Sequence, residues 1–277
     1  MADTEINLDE LLGADAQDGD MTMRDVLAGE MPTMGEPENP VLTLPRGRLV
    51  NNKWETAAEV RELNGADEEY LARRRDPLDY FDAVLALGVT RLGSADLASM
   101  SITEREQVLA TLLTGERELL FLTVIRATFG NERDLEFQCG SCQGEFTTTL
   151  LLDHDFPLVD DLGFDPPLTY EFTTSKGDRI EYRLVNGADQ REAASKRNAT
   201  TAEQNTVVLT NVIKRVNGTV PFDTKEYVLG LSMKDRRDLV ADMDKRLPTI
   251  NNEIDLECQS CGTKNRVTLN WGDLFRP

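Results

Sequence analysis

The sequence predicts an α+β protein that is internally duplicated, with two units that each contain a β-hairpin, helices and a zinc-knuckle hairpin. Three observations lead to this prediction: similar segments occur twice in the same order, four cysteines form two C-x-x-C pairs, and acidic residues are concentrated near the N-terminus. The predicted organisation is a flexible acidic arm over residues 1–40, a first unit over 41–157 and a second unit over 158–277. We expect the units to meet about a pseudo-twofold axis at one four-cysteine zinc site.

The first 40 residues are predicted to form the flexible arm. They contain eleven Asp or Glu residues and a single basic residue, Arg24, together with several glycines and prolines. Such a segment buries too little apolar surface to offset the entropy lost on ordering. Residues 6–12 and 21–27 have apolar side chains spaced for one side of a helix or strand, as in segments that fold on contact with a partner. A partner-binding arm and a solubilising tail both fit this composition.

The internal duplication is indicated by three pairs of matching segments. They occur in the same order at separations of about 120 residues: 59–67 with 181–189, 108–120 with 228–240, and 134–142 with 253–261. The first pair reads EVRELNGAD and EYRLVNGAD, and the third reads DLEFQCGSC and EIDLECQSC. Three matches in one order favour a repeated unit over chance.

Each unit is expected to open with a hairpin, most clearly over residues 170–182, where alternating residues flank a turn. An Asn-Gly turn then leads into helices. Segment 118–129 is apolar on nearly all sides and is predicted to be the buried helix of the first unit. Its counterpart, 239–247, carries more charge and is predicted to be less buried.

Two capping boxes mark predicted helix starts. Ser101 and Glu104 form one, and Thr200 and Glu203 form the other. In this arrangement the hydroxyl and the carboxylate satisfy amides of the first helical turn that have no other partner. Helices are therefore predicted to begin directly after Ser101 and Thr200.

All four cysteines lie in the two predicted knuckles, at Cys139, Cys142, Cys258 and Cys261. Two-residue spacing in a tight turn directs two thiolates at one ion, and Zn²⁺ takes four such ligands in a tetrahedron. Four protein ligands leave no position for water, which disfavours catalytic zinc. We therefore predict one structural zinc ion; a rubredoxin-type iron site, disulfide or redox chemistry, and unligated cysteines are the alternatives.

Composition also limits the partners. The net charge of −20 repels nucleic-acid backbones and anionic lipids. No apolar stretch reaches the roughly 20 residues of a membrane span, and the N-terminus lacks the basic and apolar regions of a secretory signal. We expect a cytoplasmic protein in a reducing compartment, where paired cysteines favour metal over disulfides. Neither nucleic acid, membrane nor small-molecule substrate is expected as a partner.

No catalytic set is recognisable in the sequence. The single histidine, His154, lies between two aspartates and is expected to be a solvated turn residue, with a role as an alternative metal ligand as the other interpretation. The many carboxylates are scattered along predicted helices and the arm, as on a solvated surface. Trp54 and Trp271 are expected to anchor a core or an interface. The protein is therefore expected not to be an enzyme.

Taken together, the knuckles, the repeated NGAD turns and the helices between them resemble the baseplate hub assembly chaperones of T-even-like contractile-tailed phages. The resemblance covers roughly residues 42–275. Four segments of the first unit carry it, and a second copy follows from about residue 170: LPRGRLV at 44–50, VRELNGADEE at 60–69, LLTGERELLFLTVIRATFG at 112–130 and DLEFQCGSC at 134–142.

The resemblance implies a non-enzymatic chaperone that binds baseplate hub subunits or other tail proteins through a zinc-stabilised body and the acidic arm. It would act in the host cell cytoplasm during assembly, and the family pattern leaves open whether it stays in the tail baseplate of the virion. Two other functions stay open: a permanent structural component of the hub, and an acidic zinc-ribbon regulator or DNA mimic. Direct DNA binding is disfavoured because only Lys264 and Arg266 provide basic charge beside the knuckles.

Overall fold

The structure is a computed structural model, and it describes residues 40–160, 162–163, 165–196 and 199–269. The predicted acidic arm, apart from Pro40, and Trp271 lie outside the described residues. Within the described ranges the chain forms eight α-helices and several small antiparallel sheets. This agrees with the predicted mixture of helices and strands.

The first half of the described chain contains seven strands and four helices, with a short 3-10 helix at Leu97–Ser99. In chain order they are β1 Val41–Val50, β2 Lys53–Val60, α1 Gly65–Leu71, α2 Pro77–Gly88, β3 Val89–Leu92, β4 Ala95–Asp96, α3 Ile102–Leu109, α4 Thr114–Phe129, β5 Glu132–Gln138, β6 Glu145–Leu151 and β7 Leu158–Val159. Strands β1 to β4 form one antiparallel sheet in chain order, and β5 and β6 form a separate hairpin.

The second half follows nearly the same order of elements, and the strands of its hairpins are shorter. The elements are β8 Tyr170–Thr173, β9 Arg179–Tyr182, α5 Gly187–Ser195, α6 Thr201–Val212, β10 Ile213–Val216, α7 Thr224–Gly230, α8 Met233–Asp244, β11 Thr249–Ile250, β12 Glu253–Glu257 and β13 Lys264–Thr268. Strand β9 lies between β8 and β10, and Tyr170 pairs with Tyr182 across the predicted hairpin. The short strands β7 and β11 pair with each other and so connect the halves.

The repeated NGAD turns fold in the same way in both halves. Asn64 caps α1 in a capping box with Asp67, which accepts both Nη groups of Arg61. In the second half an Asn, an Asp and an Arg make the same contacts at α5, as Asn186, Asp189 and Arg183. In each case a strand end is fastened to the first turn of the following helix. The two NGAD segments therefore match in structure as well as in sequence, while the duplication of the whole unit stays a prediction.

A second correspondence lies at the start of the long helix of each half. Glu116, the third residue of α4, accepts the backbone N–H groups of Arg46 at 2.6 Å and Gly47 at 2.5 Å. Asp235, the third residue of α8, accepts the backbone N–H of Ser175 at 2.7 Å. Glu116 thus holds the β1 bulge of the first hairpin against α4. Asp235 holds the turn of the second hairpin against α8.

Both predicted capping boxes are confirmed. Ser101 and Glu104 cap the start of α3, and Thr200 and Glu203 cap the start of α6, with the side-chain and backbone bonds of the motif in place. The sequence therefore located both helix starts to the residue.

The predicted buried helix is α4, which begins at Thr114, a few residues before the apolar segment 118–129. Side chains at its centre, such as Leu120 and Val124, are fully buried, whereas α8 buries only a few, among them Leu239. The predicted difference between the two helices is confirmed. None of the described helices, α4 included, combines the length and hydropathy that a membrane crossing requires.

The apolar side chains form two clusters. One consists mainly of β8 to β10 and α6 to α8. The other contains the body of the first half together with both knuckle hairpins, since Ile254, Leu256 and Leu269 pack with it as well as Phe146 and Leu150. The second knuckle therefore contributes to the core of the first half, and this brings the two cysteine pairs to one place.

Candidate metal centre

The first cysteine pair lies at the tip of the hairpin formed by β5 and β6. Phe137 and Phe146 face each other just below the tip. The backbone N–H of Cys139 donates to Gly144 O at 2.9 Å, and the N–H of Gln143 donates to Cys139 O at 3.0 Å. These two bonds close a tight turn, in which both thiols of the pair point to one side.

The second pair lies at the tip of the hairpin formed by β12 and β13, and its backbone follows the same pattern. The N–H of Cys258 donates to Thr263 O at 3.0 Å, and the N–H of Gly262 donates to Cys258 O at 2.9 Å. Two knuckles of equal geometry are therefore present, as the spacing of the cysteines predicted.

The four thiols converge on one point. Cys139 Sγ lies 3.7 Å from Cys261 Sγ, Cys142 Sγ lies 3.7 Å from Cys258 Sγ, and all four sulfurs are within 4.8 Å of one another. Ligands about 2.3 Å from a tetrahedral Zn²⁺ are separated by about 3.8 Å. The sulfurs are free thiols, well beyond the roughly 2.05 Å of a disulfide bond. The cluster thus has the size of a tetrahedral metal site.

The two knuckles have related surroundings. The first cysteine of each pair, Cys139 or Cys258, is buried, whereas the second, Cys142 or Cys261, is exposed. Each close contact joins a buried sulfur of one knuckle to an exposed sulfur of the other. A twofold axis between the knuckles would produce this exchange of roles.

Contacts around the thiols connect the knuckles without involving a metal. The side chain of Asn265 accepts the N–H of Gly140 at 3.0 Å, and its Nδ2 donates to Cys139 Sγ at 3.6 Å. Gln259 Nε2 donates to Thr147 O across the same interface at 3.3 Å. Asn265 is not predictable from the sequence, because no local pattern marks a residue whose partner lies in a distant hairpin.

The thiols differ in acidity. Backbone N–H groups of Cys142 and Ser141 lower the pKa of the Cys139 thiol to about 6, because they stabilise its thiolate. A backbone N–H of Gly144 lowers the pKa of Cys142, but the neighbouring sulfurs of Cys261, Cys139 and Cys258 outweigh it and raise that pKa to about 11. The cluster therefore retains protons near neutral pH, and metal binding would displace them.

The donor set fits a structural metal ion. Four sulfur donors suit Zn²⁺ and also iron, and they leave no ligand position for water. The described residues that could together hold a metal are these four cysteines, and His154 is not among them. His154 is exposed and lies 2.9 Å from Asp155, which raises the pKa of the imidazole. Its position agrees with the solvated-turn interpretation.

The fold and the thiol cluster define a mixed helix-and-strand protein whose two knuckles meet at one candidate structural metal site. Residues 96–275 match the model of the family described as T4 bacteriophage base plate protein, and this segment contains all four cysteines. Because the match spans more than half of the chain, the protein belongs to this family of phage baseplate proteins. This confirms the predicted relationship to baseplate proteins of T-even-like phages. No curated protein and no solved structure gave a match.

Proposed function

We propose that the protein is a non-enzymatic assembly chaperone of the baseplate hub in a contractile phage tail, acting in the host cell cytoplasm before the hub is complete. Family membership supports the baseplate role. The observation that carries the proposal is the convergence of four thiols from two distant hairpins. A metal ion bound there would hold the two hairpins together in a rigid body suited to binding a partner, and four protein ligands would leave no metal position open for catalysis. Hub subunits or other tail proteins are the proposed partners.

The proposed ligands of one structural zinc ion are Cys139, Cys142, Cys258 and Cys261. A closed tetrathiolate site contributes on the order of 10 kcal/mol to folding, comparable with the stability of a whole domain. It would fix the second knuckle on the core of the first half. The residues around it, such as Asn265, hold the knuckles in register for the metal.

The proposed units are copies of one another, over residues 41–157 and 158–277. The shared order of elements supports this, as do the equivalent contacts of Asp67 and Asp189 and those of Glu116 and Asp235. These contacts involve aligned residues, so they extend the sequence match to the details of the fold.

The acidic arm is proposed to bind a basic surface of a hub subunit and to cover it until the next subunit arrives. The eleven acidic residues of the arm provide long-range attraction to such a surface. Deleting residues 1–40 should therefore weaken salt-sensitive binding to the hub subunit and leave the melting temperature of the body unchanged. Equal affinity after the deletion would contradict this role.

A direct test compares infected cells with finished particles. Quantitative mass spectrometry should find the protein in complex with a hub subunit in lysates, and at far less than one copy per baseplate in purified tails. The tail tube protein provides the internal standard for a permanent component. Stoichiometric presence in purified tails would contradict the chaperone proposal and support the second candidate, a structural hub component, with which the family description is equally compatible.

A further inference from the structure

A pocket separate from the metal centre lies between the first hairpin and the second half. Its volume is about 360 Å³, and side chains from β1, β2 and α3 line it together with side chains from the segments that flank β8 and β9. We call it the arginine pocket, after six residues that define it: Arg46, Arg48, Leu49, Trp54, Leu168 and Arg183. The contact of Trp54 Nε1 with Pro166 O, at 3.1 Å, holds its two sides together.

The charge of this pocket is opposite to that of the chain. Three guanidinium groups line it, and none of the described residues of its lining is acidic. The whole chain, in contrast, has 50 acidic and 30 basic residues. Arg183 is bound to Asp189 at 2.6 Å, but this ion pair leaves the pocket with an excess of positive charge. Such a local excess attracts an anion.

Arg46 is the most buried of the three arginines. It is only 9% exposed, and its Nε atom has no hydrogen-bond partner among the described residues. Its guanidinium lies over the Trp54 ring, 4.9 Å from the centroid. Glu116 is nearby, but its oxygens accept backbone N–H groups, including that of Gly47. A buried polar group without a partner is costly, so Arg46 indicates a missing acceptor.

Electrostatics around Arg46 agree with this geometry. Burial lowers the pKa of Arg46, the Glu116 carboxylate offsets part of the effect, and the positive charge of Arg183 adds to it. Arginine still remains protonated at neutral pH. A negatively charged group in the pocket would therefore be stabilised by two guanidinium groups that otherwise repel each other.

We propose that the arginine pocket binds the carboxylate of an Asp or Glu side chain on an acidic segment of a partner protein. The planar guanidinium matches a carboxylate in a bidentate geometry. Two exposed apolar side chains, Leu49 at 38% and Leu168 at 52%, line the pocket. They suit the residues beside an acidic side chain in a polypeptide, whereas a free small acid would leave them uncovered. This inference does not depend on the chaperone role.

The test uses the full chain and two labelled peptides in which Glu-Leu-Glu or Gln-Leu-Gln is flanked by glycine and serine. Fluorescence anisotropy should show binding of the Glu peptide that weakens with salt, and at least about tenfold weaker binding of the Gln peptide. Equal binding of the two peptides, or no binding of either at millimolar concentration, would overturn the proposal.

Variants locate the binding to the pocket. Arg48→Ala and Arg46→Gln should each weaken binding of the Glu peptide at least about tenfold. Arg91→Ala is the matched control, since it removes the same charge from β3, where Arg91 pairs with Glu59 outside the pocket. Arg48 is only partly buried, so Arg48→Ala decides the question if Arg46→Gln fails to fold. An equal loss in the Arg91 control would refute the assignment.

A competition experiment separates carboxylate from phosphate. Acetate and inorganic phosphate are titrated against the bound Glu peptide at matched ionic strength. Displacement by acetate at concentrations no higher than those of phosphate supports a carboxylate site. Displacement by phosphate alone would make the pocket a phosphate site and overturn the proposal.

Discussion

The turn residue after each cysteine pair shows how single residues determine the knuckle geometry. Gln143 and Gly262 occupy the same position and both have left-handed backbone conformations, with φ of 58° and 69°. Glycine adopts this conformation without steric cost, whereas a residue with a Cβ is strained there. The first knuckle therefore contains local strain that the second lacks.

Reciprocal substitutions at this position test the strain. Gln143→Gly should stabilise the protein by about 0.5–1 kcal/mol, because it removes the Cβ from a left-handed backbone position. Gly262→Ala should destabilise it by a similar amount, because it adds a Cβ at such a position. Its methyl group would lie 3.8 Å from the nearest atom, Glu257 Oε1, so no steric clash adds to the backbone strain. Urea unfolding of the metal-loaded protein measures both. Effects of the same sign in the two variants would contradict the assignment of strain to the backbone.

The buried carboxylate of Asp235 connects stability to pH. The Ser232 hydroxyl and the Ser175 backbone N–H donate to Asp235 and lower its pKa. A folded pKa below the unfolded value of about 3.9 means that the stabilisation is present above pH 4 and is lost as pH falls through the folded pKa. We therefore expect the stability difference between the wild type and Asp235→Asn to be largest at neutral pH and to shrink below pH 4.

Urea titrations at several pH values measure this difference. Asp238→Asn is the control, because Asp238 forms a surface ion pair with Lys234, and such pairs contribute little. A difference between wild type and Asp235→Asn that stays constant from pH 7 to pH 3 would show that Asp235 does not act through its charge.

At this scale the sequence identified the four cysteines, but neither Asn265 beside them nor Arg46 in the separate arginine pocket. Regular spacing within a tight turn is a local signal, so both pairs could be recognised. Asn265 and Arg46 could not, because their environments are created by segments far away in the chain. Contacts of that kind become visible only once the hairpins are placed.

Among the elements, the two NGAD helices have the same caps but different neighbours. The N–H of Gly187, the first residue of α5, donates to Leu112 O at 3.1 Å. A methyl group on Gly187 would lie 2.3 Å from Arg117 Nη1, whereas a methyl group on Gly65, the first residue of α1, would meet nothing within 4 Å. Helix α5 therefore docks on the first half, while the matching end of α1 is open.

Alanine at these two glycines should have opposite effects. Gly187→Ala should destabilise the protein by about 1–3 kcal/mol, because Arg117 is buried and paired with Asp82 and has no room to move. Gly65→Ala should stabilise it by about 0.5 kcal/mol, because alanine favours the helix. Thermal unfolding measures both changes. Similar effects of the two substitutions would contradict the docking of α5.

The sequence predicted elements with strong local signals and missed those without them. The hairpin over 170–182, the capping boxes and the buried helix α4 were recognisable from turn chemistry and periodicity. Strands β7 and β11 were not predicted, because two-residue strands have no pattern and exist only through their pairing with each other. The start of α4 was placed late because Thr114, Gly115 and Glu116 do not continue the apolar pattern.

For the whole molecule, the central feature is the connection between the halves. The second knuckle packs with the core of the first half, and contacts such as Gln259 with Thr147 join the two hairpins directly. The sequence predicted that the cysteine pairs would meet, since two half-sites are each incomplete alone. It did not predict which core the second knuckle would join, because its strands β12 and β13 alternate in the same way against either surface.

Zinc stoichiometry in single-cysteine variants tests the shared site most directly. Metal analysis of the purified wild type should give one zinc per chain, and Cys139→Ser and Cys258→Ser should each lose it, because each variant removes one ligand from the same tetrahedron. Both variants should also become more sensitive to proteolysis between the halves. Unchanged metal content in both variants, or two zinc ions in the wild type, would contradict a single site that connects the two knuckles.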